Sequence, residues 1–343
     1  MVAPEPSGAL SDAEHRQPPG GSHPCVLGVD VGASKIEVGV VDRAGKVLEN
    51  RRYIMDCSSQ NMTLNSIEAA LTHFLSIWKG AAPLALGIGL VGHTRPATGF
   101  WVRAMNLPIH SPVPLRQLLR EQTGLPVALD NDVHAATLAE QRWGMGEDIK
   151  DFIYLNIGTG LAAGMVCNRK LVRGAANYAG ELGHMVVDPG GLLCVCGQYG
   201  CLETICSGGG ILAQVRAGLR DYPTSVLFEP AKWGSLTASQ VFQAAEAGDR
   251  LASRITGKAV QGLSIALVNL VNLLNPVVII YGGGVVRDGW LMGKVNDFVI
   301  ANALQPARRS LKGILPSRFD AELVGLLGAA SLAWSYLEEK SLV

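Results

Sequence analysis

The chain has 343 residues, 48% apolar and 17% charged, which at roughly 150 residues per domain predicts two domains or one large two-lobed unit with an ample core. Lys plus Arg and Asp plus Glu balance at 29 each, so there is no global basic field for nucleic acid or an anionic membrane, and disorder of the whole chain is excluded. The 41 glycines exceed the usual share of roughly 7% and point to turns where backbone approaches a ligand.

In chain order, residues 1–24 hold five prolines and no apolar run, so they read as a disordered tail and not as a signal peptide. Apolar runs at 26–31 and 36–41 flank the turn 32–34, and 47–55 follows a second turn, giving a β-meander. Leu64, Ile67, Ala70, Leu71, Phe74, Leu75 and Trp78 keep helical spacing across 63–78. Residues 84–90 read as a buried strand, 115–123 as a helix closed by Gly124, and 127–129 as a short strand entering a corner at 130–133. A helix then runs to Trp143, with Gly144 as its stop. A second meander covers 152–157, the turn 158–160, 162–167 and 170–172.

Residues 27–32 align with 153–158 at an offset of 126, and Ser34 then falls on Gly160. This echo suggests two lobes that each open with a strand–turn–strand unit. Helices are expected at 202–220, 238–248, 250–274, 290–304 and 325–337, with a strand at 277–281 after Pro276 and a sharp turn at Gly282, Gly283 and Gly284. The most membrane-like stretch, 263–281, is interrupted by Asn269, Asn272, Asn275 and Pro276. A mixed α/β class with two sheets follows.

The turns Asp30-Val-Gly32-Ala-Ser34-Lys35 and Gly158-Thr159-Gly160 have the traits of phosphate loops. Glycine exposes backbone N–H groups, the hydroxyls donate, and Lys35 adds charge. Neither is a P-loop, because the Gly-Lys-Ser/Thr ending is missing. Residues 158–163 fit the dinucleotide pattern G-x-G-x-x-A with Glu181 downstream, but that pattern must open a helix and here it opens a hairpin. Cys194, Cys196 and Cys201 lie within eight residues, with His184 ten residues upstream, a set suited to a closed Cys₃His zinc site. Cys206 competes with His184 for the fourth place. Asn131-Asp132 opens a helix, where Asp132 reads either as an N-cap or as a general base.

Together these residues resemble the ROK family of repressors, open reading frames and sugar kinases, within the actin-like ATPase superfamily, over residues 26 to about 338. The residues that carry the resemblance are the motif from Asp30 to Lys35, Gly158-Thr159-Gly160, Gly282-Gly283-Gly284 and the block from Glu181 to Glu203. The resemblance implies an α/β, two-lobed actin-like (ribonuclease H-like) ATPase fold with a small zinc-binding insertion. Its first lobe would span 25–130, its second 131–324 with the zinc motif at 181–203, and a final helix at 325–340 would return to the first lobe.

The implied activity is transfer of the γ-phosphate of ATP to a primary hydroxyl of a hexose, an aminohexose or a related cyclitol. Asp132 would be the base. Asn106, Asn131, Asp132, Glu181, His184 and Glu203 would read the sugar. Asp30, Gly32, Ser34, Lys35, Gly158, Thr159 and Gly160 would hold ATP, with adenosine near Gly282, Gly283 and Gly284, and Asp30 would orient Mg²⁺. His184, Cys194, Cys196 and Cys201 would bind a structural Zn²⁺, one ring nitrogen of His184 facing the metal and the other the sugar. The lack of a signal peptide and the metal-like cysteine spacing read as a cytoplasmic chain, and the charge balance as one with neither nucleic acid nor membrane as partner; the resemblance implies a homodimer.

A sugar-sensing regulator of the same family would need a helix-turn-helix domain of roughly 60–80 residues before the first strand, where 24 stand. The sugar-side loop departs from the family, reading Val91-Gly92-His93-Thr94 where Pro-Gly is usual. His93 is expected either to add a donor near the sugar or to be plain solvent-exposed loop.

Overall fold

The computed structural model describes residues 24–341; the tail expected over 1–24 lies outside them, apart from Pro24. Strands β1 (Cys25–Val31), β2 (Lys35–Asp42) and β3 (Val47–Ile54) form the expected meander, followed by helix α1 (Gln60–Ile77), which Ser59 caps. Then come β4 (Leu86–Leu90), the hairpin β5 (His93–Arg95) and β6 (Phe100–Arg103), α2 (Leu115–Thr123), β7 (Val127–Asn131) and α3 (Asp132–Trp143). The first sheet has the order β3-β2-β1-β4-β7, with β1, β4 and β7 parallel. Its centre, β1 and β4, is apolar and almost wholly buried, whereas β3 at the edge carries Glu49, Arg51 and Arg52 toward solvent, which blunts the edge against further pairing.

The second half opens with β8 (Phe152–Ile157), β9 (Leu161–Cys167) and β10 (Lys170–Leu171). After α4 (Glu203–Cys206), α5 (Gly208–Gly218), α6 (Phe228–Lys232), α7 (Ala238–Glu246) and α8 (Arg250–Leu274) come β11 (Val278–Gly282), α9 (Trp290–Asn302), α10 (Gln305–Ser310), β12 (Ile314–Pro316) and α11 (Val324–Glu339). The second sheet, β10-β9-β8-β11-β12, repeats the first strand for strand: three antiparallel strands, then two parallel to the central one. The faint sequence echo is therefore the trace of a repeated sheet topology.

Between the sheets lie α3 and α11. α11 packs on β1, β4 and α3, and α3 also contacts β8 and β9. The close approach depends on glycine. A Cβ at Gly28 would sit 2.8 Å from the Leu326 carbonyl oxygen, and one at Gly87 would overlap that of Ala329. On the other side, a Cβ at Gly164 would overlap the Thr137 side chain.

The helix expected over 202–220 is two helices. Ser207 is extended and accepts from the Gly210 N–H, ending α4 and capping α5. A Ser N-cap before three glycines favours such a break over a continuous helix. The β5–β6 hairpin, α6, α10 and β12 lie where no element was expected. α8 is long and apolar enough by length and composition to cross a membrane; its apolar face, including Ile255, Leu263 and Leu267, is buried in the second core.

Candidate active site and metal centre

Asp30 and Asp132 mark the carboxyl ends of β1 and β7, which flank β4, the rim where open α/β sheets bind ligands. Gly89 of β4 lies between them, an ideal Cβ there falling 3.7 Å from Asp132 Cα and 3.9 Å from Asp30 Oδ1. Burial, then the charge of Asp30, pushes the Asp132 carboxyl up to about 7, with Glu181 adding a smaller push. Burial likewise pushes Asp30 to about 6, against the pull of Lys35. The α3 cap is Asn131 and not Asp132, which corrects the capping reading. Asn131 Oδ1 accepts from the N–H groups of Val133 (2.9 Å) and His134 (3.2 Å), while its Nδ2 donates to Gly92 O at 3.1 Å. The Asp132 carboxyl is thereby left free of a capping duty.

In the first turn Gly32 N–H donates to Lys35 O at 2.9 Å, and Lys35 Nζ lies 3.4 Å from Glu322, which also pairs with Arg52. Ser34 is exposed on the same turn. In the second, Gly158 N–H donates to Gly160 O at 3.0 Å. The amides of Gly208 and Gly209, at the start of α5, bond to the Gly158 and Thr159 carbonyls at 2.8 and 3.1 Å. These two glycines were missed from sequence, although the Ser-Gly-Gly-Gly run was a visible signal. A third turn abuts the second: Gly283 has φ of 103°, and a Cβ there would overlap Ile157 O. Gly282 and Gly284 flank it at the end of β11.

Glu203 joins the second turn to the other candidates. Its Oε2 accepts from Leu161 N–H at 3.0 Å and would be 2.9 Å from a Cβ at Gly160. Glu181 Oε2 lies 3.9 Å from His184 Nε2. Asn106 is not drawn into this set; it is exposed on the loop after β6, with no hydrogen bond to the other candidates among the described residues.

His184 Nδ1 lies 3.7 Å from Cys194 Sγ, and Cys196 Sγ lies 3.6 Å from Cys201 Sγ. All four ligand atoms fall within 4.8 Å of one another. A tetrahedral zinc with Zn–S of about 2.3 Å has edges of about 3.8 Å, so the donor set and its spacing fit that ion. Burial pushes the Cys201 thiol up to about 12 and raises Cys194, while a hydrogen bond from the Gln198 backbone brings Cys196 to about 7; ligation to a dication would deprotonate all three. Cys206 stands outside the group, its buried Sγ donating to Ala259 O at 3.1 Å, so the four-atom cluster includes His184 and not Cys206.

One buried network was not expected. Asp130, wholly buried, accepts from the Arg173 guanidinium, from Asn177 Nδ2 at 2.9 Å, from Thr94 Oγ1 at 3.4 Å and from Asn131 N–H at 2.8 Å. Burial alone would raise this carboxyl, but the hydrogen bond from His134 and the Arg173 charge outweigh it and hold it below the ordinary range. His134 Nε2 lies 2.9 Å from Ala179 O. The segment 173–179, which leads to Glu181, is thus tied to β5 and β7. His93 belongs to the same junction and is no exposed loop. It opens β5, is 9% exposed, stacks on Tyr178 at 3.7 Å and places Nε2 2.7 Å from Ala176 O.

Known proteins resemble the chain over most of its length. The family model described as "ROK family" matches residues 26–335. A glucokinase of Halalkalibacterium halodurans is 35% identical over 270 residues, covering 77% of this chain and 81% of its own. A xylose repressor of Caldicellulosiruptor bescii is 30% identical over 262 residues, covering 75% and 65%. The structure of a ROK family glucokinase from Streptomyces griseus, in complex with glucose and AMPPNP, superposes with a TM-score of 0.70 at 29% identity, covering 91% of this chain and 99% of that one.

Proposed function

The chain belongs to the ROK family, and from that membership we propose that it is an ATP-dependent sugar kinase, moving the γ-phosphate of ATP to a primary hydroxyl of a hexose, an aminohexose or a related cyclitol. The observation that carries this reading is the Asp132 carboxyl at the strand ends, uncommitted to capping and held near 7 by burial and by Asp30. A base with that pKa accepts a proton most effectively near neutral pH.

Asp132 takes the hydroxyl proton as the sugar oxygen bonds to the γ-phosphorus and the bond to the ADP oxygen breaks. Backbone N–H groups of the turns at 32–35 and 158–160 meet the charge on the phosphoryl oxygens, with Lys35 adding a cation. Asp30 would hold the Mg²⁺ that accompanies ATP, a dication that neutralises phosphate charge. Adenosine would lie toward Gly282, Gly283 and Gly284. Asn131, Glu181, His184 and Glu203, with Asn106 from its loop, would read the ring hydroxyls. Zn²⁺ on His184, Cys194, Cys196 and Cys201 would fix the His184 ring plane.

We divide the chain into lobes at 25–130 with 325–340, and 131–324. The resemblance supports a cytoplasmic homodimer, which sedimentation checks. An ADP-release screen over hexoses, aminohexoses and cyclitols tests the activity; ATP turnover with no phosphorylated ring product would overturn it. A second reading, a sugar-sensing regulator without kinase activity, draws on the xylose repressor among the relatives. Specific DNA binding in a gel shift, with no turnover in the screen, would favour that reading.

A further inference from the structure

We infer that His93 is a specificity-determining residue, whose Nδ1 accepts a hydrogen bond from an O–H or N–H group on the substrate ring. The tautomer follows from its partner. Nε2 lies 2.7 Å from the Ala176 carbonyl oxygen, an acceptor only, so Nε2 carries the proton and Nδ1 of the neutral ring keeps a lone pair. The sequence-based expectation of a new donor is thereby inverted into an acceptor.

Nδ1 is buried and has no hydrogen-bond partner among the described residues, a state that proteins rarely leave unresolved. The ring cannot easily turn to find one, since it is stacked on Tyr178 at 3.7 Å and 25° and tethered to Ala176. Nor do neighbouring donors reach it. Asn177 Nδ2 spends both N–H groups on Asp130 and Thr94, while Asn131 Nδ2 gives one to Gly92 O and makes no bond to His93. His93 instead lines a small cavity of about 20 Å³ together with Asn131, Tyr178 and Glu181. That space takes a single substituent atom or one water. Two of its walls, Asn131 and Glu181, belong to the set assigned above to the sugar, so the inference rests on the kinase reading for the identity of the ligand.

Two neutral substitutions separate the ring's two nitrogens. His93→Asn keeps an acceptor near the Nδ1 position and loses the bond to Ala176; His93→Gln keeps an N–H near Nε2 and loses the acceptor. Each is assayed with the preferred sugar and its monodeoxy analogues, by turnover and in parallel by calorimetric binding.

Wild type should discriminate against one deoxy analogue. His93→Gln should lose about 10- to 100-fold in kcat/KM for the parent sugar, mainly through KM, and should no longer distinguish that analogue. His93→Asn should retain most of both properties. The opposite ranking, with equal losses on parent and analogue, would show that His93 only supports the 173–179 segment and would overturn the proposal, as would a Gln variant indistinguishable from wild type. Absence of turnover in wild type would strike the kinase reading alone, because the binding arm still decides the role of Nδ1.

Discussion

Replacing Asp132 by Asn tests the proposed chemistry at one atom. Helix α3 should start unchanged, because its two cap hydrogen bonds are made by Asn131. Loss of the base should lower kcat by about 10²–10⁴-fold. Wild type supplies an independent reading of the same group. With its carboxyl near 7, about one molecule in ten carries the base ionised at pH 6, so kcat/KM should rise about tenfold from pH 6 to pH 8. Stability should move in the opposite sense. The native carboxyl binds its proton more tightly than an unfolded Asp does at about 3.9, so this group's contribution is present below about pH 4 and is lost as pH rises through about 7. The Asn variant carries no charge to bury, and its melting temperature at pH 8 should equal or exceed that of wild type. Coupled ADP release and thermal melts at pH 5 and 8 provide the data. A well-folded Asn variant keeping more than about a tenth of wild-type kcat, or a wild-type profile flat between pH 6 and 8, would refute the assignment.

Elemental analysis should find one zinc per chain; Cys201→Ser should lose it, while Cys206→Ser should keep it, since that sulfur already serves Ala259. Metal loss on replacing Cys206 would contradict the ligand set. Arg173→Ala strands the buried Asp130 carboxylate and should cost about 1–3 kcal/mol in urea unfolding, below the range for a fully buried pair because the Arg173 side chain is 37% exposed. Asp130 is held below the usual carboxylate range in the native state, so the pair stabilises above about pH 4 and the loss should shrink as pH falls below that. Gly87→Ala should destabilise by about 1–3 kcal/mol through overlap with the Ala329 carbonyl, and an unchanged urea midpoint would deny the close approach of α11.

What could be read from the sequence was what lies close together along it. The two glycine turns, the cysteine spacing and the meanders are each contained in a short window, and their residue types carry the chemistry directly. The Asp130–Arg173 pair is separated by 43 positions, and no local pattern announces that a carboxylate at a strand end will be buried under a guanidinium from the loop after β10. Gly28, Gly39 and Gly87 look like strand breakers in isolation. Their purpose emerges only when α11, more than 230 residues beyond Gly87, lies across them. His93 illustrates the same limit from the other side: a departure from a family pattern flags the position, but burial and the Ala176 carbonyl decide which nitrogen carries the proton.

α11 covers the sheet that opens with β1, and among the described elements β1 is the first in chain order and α11 the last. Until it arrives, Val26, Val41 and Ala85, which pack with Leu326, Ala330 and Trp334 in the finished protein, have lost that cover. At a synthesis rate of roughly 5–20 residues per second, the roughly 200 residues between β7 and α11 hold that face open for roughly 10–40 s. The first half of the chain therefore cannot complete this part of its core until α11 has been made. A chain cut before Val324 would leave this face of the first sheet without its helix, while the cluster of the second half, to which α11 contributes no buried residue, would keep its helices.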